Sequence, residues 1–375
     1  MSGMEWIATE ARTGRIITDL PHLSVPRIAA VLGSYTTALA SLPVPSAPEP
    51  WQRATKSGAT VMILLDDGAP QWGGMVITDE PSTDDEIPLS LITIEGRLDG
   101  IFIRDDLTYT ATGQNAIVAD LIARYVVDGA GGRNGFPIRV EGGTGGTVRD
   151  RKYKDADDKS VLSALTELAG VDGGPEWTIG FEHLTNPERY CPVLYVGDRI
   201  GVSPIAGLAP AATFDMASVT WAALKRDFSA GKGATDVMAS SSAVADVRPQ
   251  SPHQTSADPD RPRVEHRFTP STSISVVSTL TAHAARVLAD MANGARTLSL
   301  MAALSEAPRL GRDWALGDDV GFVVGGVDST GRDTVPAFPG GLSGSARCIG
   351  WEMTLPAAGV VGTITPTLVL PGESA

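Results

Sequence analysis

Apolar positions change their spacing along the chain. Over residues 1–104 they come in short runs broken by turn residues. Gly58-Ala-Thr-Val61-Met-Ile-Leu-Leu65 ends at Asp66-Asp67-Gly68, a turn signal, and Trp72–Ile77 resumes extended chain. Leu89–Glu95 alternates apolar and polar side chains, the pattern of a half-buried strand. Between His22 and Pro50 the chain is rich in Pro, Ser and Ala and reads as loop, with room for a short helix around Ile28–Leu32.

The period lengthens between about 105 and 205. Gln114–Val126 places Val118, Leu121, Ile122 and Tyr125 on one helical face, with Thr112 as a candidate cap. Asp157–Ala169 does the same with Val161, Leu165, Leu168 and Ala169; Asp157 suits the N-cap and Gly170 the C′ position. Two glycine-rich segments, Asp128–Gly135 and Glu141–Gly146, lie between these helices, and strand-like Trp177–Phe181 and Val193–Val196 follow. The block reads as a small mixed α/β unit.

From 206 onward short strands return at Ser218–Leu224 and Asp236–Ala239. Ser241–Arg263 reads as a long mobile loop. A helix over Ser275–Asn293 aligns Val276, Leu280, Ala284, Val287, Leu288 and Met291, with Gly294 placed to stop it. Thr297–Met301, Val320–Val324, Ala346–Met353 and Gly362–Leu370 read as closing strands; in the last, Thr363, Thr365 and Thr367 share one face while Ile364, Leu368 and Leu370 mostly share the other.

A faint internal repeat runs through the two β-rich ends. Gly58-x-x-Val61, Met75–Glu80 and Leu89–Ile94 have counterparts in Gly317-x-x-Val320, Arg347–Glu352 and Val361–Thr365. Glu80 to Leu89 and Glu352 to Val361 are the same distance apart, while 325–345 intrudes in the second copy. Two all-β units flanking an α/β insert account for this. The predicted fold class is therefore α+β, mainly β: 1–104 a first small barrel-like domain, 105–205 the insert, and 206–375 a second barrel-like domain carrying the 241–263 loop and the 275–293 helix.

Composition narrows the function. A chain of 375 residues has room for two or three domains, and 42% apolar residues are enough for ordinary cores. Its 41 glycines and 26 prolines fit many turns. A net charge of −14 argues against holding nucleic acid through its phosphates, which takes clustered Lys and Arg. Two cysteines, Cys191 and Cys348, have no metal-ligand spacing and read as buried free thiols. The start of the sequence has no signal-peptide pattern, and no apolar run reaches the roughly 20 residues that span a bilayer, so a soluble chain made in the cytoplasm, without membrane insertion, is expected.

No chemistry stands out. His22, His183, His253, His266 and His283 have no metal spacing; His283 reads as a core or interface residue and His253 as solvated. Gly341-Leu-Ser343-Gly-Ser345 departs from a nucleophile elbow, with Ser in place of the second Gly and no helix after it. The glycine-rich segments match no phosphate-binding motif. Asp84-Asp85-Glu86, Asp155–Asp158 and Asp318-Asp319 read as solvated turns and caps. No catalytic, cofactor-binding or metal residue is assigned, no cofactor is expected, and the chain reads as a non-enzyme.

The order of several phrases resembles a known family. Trp72–Ile77, Ile101–Asp106 with Tyr109, Gly113-Gln114-Asn115, Ser160–Leu168, Gly173-Gly-Pro-Glu-Trp177, Leu316–Val320, Phe338–Gly341 and Ala346–Gly350 follow one another as in the minor tail proteins of long, non-contractile-tailed actinobacteriophages, which are related to baseplate hubs and similar to those of contractile tails and type VI spikes. An excess of arginine over lysine, 24 to 6, suits a high-GC host. The resemblance implies a homotrimer whose two barrel-like domains per chain form a pseudo-hexameric ring, with the insert outside it. Such a ring joins the distal-tail or tail-tube hexamer, beside the tape measure protein, to three-fold tip or receptor-binding proteins at the virion's tail tip. DNA passes through it without being specifically bound, and tryptophans are expected to anchor some subunit contacts. The alternative is a tail-associated cell-wall hydrolase, or a carbohydrate- or receptor-binding tip protein.

Overall fold

In the computed structural model, residues 3–128, 135–170, 173–204, 208–241, 247–270 and 277–370 are described. Seven strands come first: β1 (Met4–Glu10), β2 (Ile16–Asp19), β3 (Arg27–Val31), β4 (Thr37–Pro43), β5 (Thr60–Asp66), β6 (Ala69–Asp79) and β7 (Glu86–Thr93), with the short helices α1 (Trp51–Ala54) and α2 (Ile94–Arg97). Six of them form one sheet, ordered β2-β1-β5-β6-β7-β4. Thr60–Leu65 is buried on both faces, so β5 shows a continuous apolar run rather than alternation. β5 and β6 are joined by Asp67 (φ 49°) and Gly68 (φ 80°), a left-handed pair that matches the twist of a tight hairpin. The strand predicted to reach Glu95 stops at Thr93, where α2 begins.

The middle of the chain supplies β8 (Leu107–Gly113), α3 (Gln114–Leu121) with a π-helical continuation to Val127, β9 (Arg139–Glu141), β10 (Val148–Tyr153), α4 (Val161–Ala169), β11 (Glu176–Thr185) and β12 (Glu188–Gly197). β8 pairs with β10, and a three-stranded sheet runs β11-β12-β9. Val118, Leu121, Ile122, Tyr125, Val161, Leu165 and Leu168 are buried as the periodicity predicted. The caps differ. Gly113, not Thr112, precedes α3, because Thr112 is spent in β8. Ser160, not Asp157, caps α4: its Oγ accepts the Ser163 N–H at 3.1 Å, while Asp155–Asp157 forms a separate 3-10 turn. Gly170 is right-handed (φ −74°) and is the C-cap itself rather than a left-handed C′ residue.

These two regions share one core. Ile7, Val61, Ile63, Leu65 and Met75 of the first sheet pack in the same cluster as Ile117, Val118, Leu165, Trp177 and Leu194. Trp177 on β11 is fully buried and is the largest such side chain among the described residues.

The remaining strands are β13 (Thr213–Phe214), β14 (Val219–Asp227), β15 (Asp236–Ala239), β16 (Gln254–Thr255), β17 (Glu265–Phe268), β18 (Ala295–Ala303), β19 (Asp319–Val324), β20 (Leu342–Thr354) and β21 (Thr363–Val369), with helix α5 (Val277–Met291). A second large sheet runs β13-β19-β20-β21-β18-β14, and β3 pairs with β20 beside this path. The stretch His22–Pro50 therefore holds two strands rather than loop and helix. Ile28–Val31 extends against Gly350–Met353, and in β4 the buried positions are Ala38, Ala40 and Leu42. Small side chains hid that alternation.

By contacts the chain divides into two units, Met1–Thr220 with Met301–Pro366, and Trp221–Leu300 with Thr367–Ala375; the division cuts through β14, β18 and β21. In the second unit α5 covers the β16-β15-β17 sheet through Leu280, Ala284 and Met291 against Val237 and Ala239, with Val287 and Leu288 alongside. Gly294 (φ 72°) follows the helix as predicted; Ser275 and Val276 lie outside the described residues. The 241–263 segment is not free over its described part. Ser251 and Ser256 donate backbone N–H groups to Ala239 and Thr235, and Gln254–Thr255 is strand β16; residues 242–246 lie outside the described residues.

The sequence repeat maps onto matching structure. Gly58 and Gly317 precede β5 and β19, Met75–Glu80 and Arg347–Glu352 fall in or at the end of β6 and within β20, and the third phrases enter β7 and β21. β5-β6-β7 and β19-β20-β21 are each consecutive, hydrogen-bonded neighbours in the middle of their own sheet.

Candidate functional site

The sequence clusters that could have carried chemistry are engaged in structural bonds. Asp318 accepts the Val202 N–H at 2.7 Å and the Ala315 N–H at 2.8 Å; Asp319 pairs with Arg199 and Ser203, both at 2.7 Å. Asp84 and Asp85 are exposed, and Glu86 takes the Ser41 hydroxyl. Ser343 sits inside β20, with no strand-to-helix turn around it. The Gly142–Gly146 loop closes onto α3, but it offers carbonyls: Gly145 O and Thr147 O accept the first helical N–H groups, from Asn115 and Gln114. A phosphate cradle needs those N–H groups free, so this helix end is no anion site. Gly129–Asn134 lies outside the described residues.

Cys191 and Cys348 are buried, their Sγ atoms directed at the Pro137 and Gly350 carbonyls. Among the described residues, no three His, Cys, Asp or Glu side chains are grouped to hold a metal ion, and no helix is long and apolar enough to cross a membrane. His283 is half-buried on α5. His253 is not simply solvated: its Nδ1 lies 2.6 Å from the buried Asp236 carboxylate, which Arg263 also reaches at 2.7 Å. This pair ties the 247–263 segment to β15.

What the geometry does build is rigidity at the joints of the first unit. Arg347 on β20 forms a two-pronged ion pair with Glu176 on β11, and it also donates to the Ile200 carbonyl at 2.9 Å and the Gly317 carbonyl at 3.3 Å. Burial pushes the Glu176 carboxyl up, but the hydrogen bonds from Arg347 and from the Ile200 N–H outweigh it and leave it below the ordinary value. Gly201 makes the approach possible, because a Cβ there would overlap the Gly317 backbone. Arg347→Ala should leave a partly buried carboxylate and two carbonyls without their donor. The expected loss is about 2 kcal/mol, discounted from a fully buried pair because both side chains keep some exposure. Urea titration of the two proteins reads it directly.

Several large apolar side chains are exposed. Leu39 on β4 is 73% exposed, Val361 before β21 is 72% exposed, and Tyr35 and Ile77 are also exposed. Tryptophan contributes little: Trp221 alone of the seven is exposed, and Trp6, Trp72, Trp177, Trp314 and Trp351 are all buried. The five buried ones serve cores.

No family model matches the sequence, and no curated protein matches it. Solved structures do. A tail protein from Neisseria meningitidis MC58 superposes with a TM-score of 0.58 at 16% identity, over 98% of this chain and 97% of that one. The 43 kDa tail protein of prophage MuSo2 from Shewanella oneidensis gives 0.57 at 13%, over 97% and 98%. The prophage tail protein gp18 from Listeria monocytogenes EGD-e gives 0.53 at 8%, over 99% and 95%. The chain shares the fold of phage tail proteins. The likeness runs end to end in both directions, and the architecture of this chain is mixed α+β with mostly β sheets.

Three features of this geometry escaped the sequence reading: the Arg347–Glu176 pair, the Asp236–His253–Arg263 group, and a buried Glu95. Each joins residues far apart in the chain. Only Glu95 left a local trace, a carboxylate inside the otherwise uncharged run Leu89–Ile94 and Gly96.

Proposed function

We propose that this chain is a structural component of a phage tail tip: a homotrimeric baseplate hub of a long, non-contractile tail, of the kind found in actinobacteriophages. It joins the hexameric tail tube on one side to three-fold tip or receptor-binding proteins on the other, next to the tape measure protein. The observation that carries this reading is the pair of matching three-strand meanders, β5-β6-β7 and β19-β20-β21, within one chain that shares its fold with tail proteins over its whole length. Three copies of a chain with two equivalent units present six equivalent edges, which is how a three-fold object can meet a six-fold one. In this reading 1–104 and 206–375 supply the two ring-forming parts and 105–205 the insert. The net charge of −14 keeps passing DNA from adhering to the conduit. Against a cell-wall hydrolase, the Asp318-Asp319 carboxylates are engaged by backbone N–H groups, Arg199 and Ser203.

Antibodies against the exposed turn at 327–334 test the proposal on intact virions by electron microscopy. Label confined to the tail tip is expected. Label along the shaft, on the capsid, or absent from virions while present in the host lysate would sink it.

A further inference from the structure

The strand β11 ends its three-stranded sheet, so one edge has no strand partner. That edge is nevertheless satisfied from the first sheet. The Trp177 carbonyl accepts the Gly33 N–H at 2.9 Å, and two residues on, the Ile179 N–H donates to Glu95 Oε1 at 3.0 Å. Gly73 of β6 lets the Phe181 ring lie flat nearby, where a Cβ would overlap it. Glu95 is 5% exposed and receives further hydrogen bonds from the Thr93 hydroxyl and its own N–H; Thr93 Oγ1 in turn accepts the Thr36 N–H at 3.1 Å. One carboxyl thus links α2, β11 and the turn before β4.

We propose that Glu95 is a proton-operated clasp: its carboxyl stands in for a missing neighbour strand on the free edge of β11, and its protonation sets how firmly that edge is held to the first sheet. The side chains lining its cavity of about 70 Å³ come from β3, β6, β7, α2 and β11, and they include no Lys, Arg or His and no second carboxylate. A negative charge there has no counter-ion. With no cation among these lining side chains, burial favours the neutral acid. Burial pushes the Glu95 carboxyl up to about 7, so the clasp changes state near neutrality. Below that pH the edge is held; above it, opening the edge hydrates the charge.

Hydrogen exchange of the Ile179 and Gly33 amides, corrected for intrinsic rates, measures the hold. Protection is expected to fall about tenfold between pH 6 and pH 8 in the unaltered chain, and to stay constant in Glu95→Gln, whose amide accepts the same bond at every pH. Equal falls in both proteins, or no fall in the unaltered chain, would overturn the clasp. Should the variant not fold, the carboxyl titration of Glu95 in the unaltered chain, followed by carbon-13 NMR, decides alone. A midpoint within a unit of 7 supports the clasp, and one near 4.5 overturns it.

Discussion

Truncating Trp177 to alanine should cost about 3–5 kcal/mol of folding stability, the range for removing a large aromatic from a packed core. Trp177 has no exposed surface and sits in the cluster shared by the first sheet and the 105–205 region, so walls from both regions would face the void. β11 is pinned on either side of it, by Glu176 to Arg347 and by Ile179 to Glu95, which limits collapse into the space. Trp177→Phe should be far milder. It keeps most of the volume and removes an indole N–H that is buried without an acceptor. Urea midpoints of the two variants should therefore separate widely; similar midpoints would mean that the ring is not packed as described.

A second large effect is expected from pH. The Glu95 carboxyl has its ordinary value of 4.5 in the unfolded chain and about 7 when folded, so between those values the folded chain holds a proton that the unfolded chain has shed. Stability falls as pH rises through that window, by about 3 kcal/mol in all. Glu95→Gln removes this loss, and its stability relative to the unaltered chain should climb from pH 5 to pH 8. Glu176 works the other way: its folded value is depressed, so its contribution is lost on acidification. Unfolding curves collected at pH 5, 6, 7 and 8 for both proteins isolate the Glu95 contribution, because that of Glu176 is lost only below pH 4.5. Parallel pH profiles would refute the assignment to Glu95.

Much of the fold could be read from spacing because its elements bury one face or both. Val118–Tyr125 and Leu280–Met291 follow the helical period, and β5 announces itself by an unbroken apolar run. What could not be read lacked a local signal. β4 buries Ala38 and Ala40, too small to register as a hydrophobic stripe, and β3 owes its extended form to β20, more than three hundred residues away. The caps misled because Thr112 and Asp157 are good capping residues claimed by other structure. The joints, Arg347 with Glu176 and Glu95 with Ile179, depend on residue types that are ordinary on a surface and become informative only once the chain has buried them.

The continuous core from Ile7 and Ile63 to Trp177 and Leu194 also bears on how such a chain can evolve. An insert with its own closed interior can be exchanged between relatives as a cassette. Here the seam runs through shared packing, so a recombinant carrying a foreign 105–205 region would bring side chains that no longer fit the first sheet. Viable exchange would have to move both parts together.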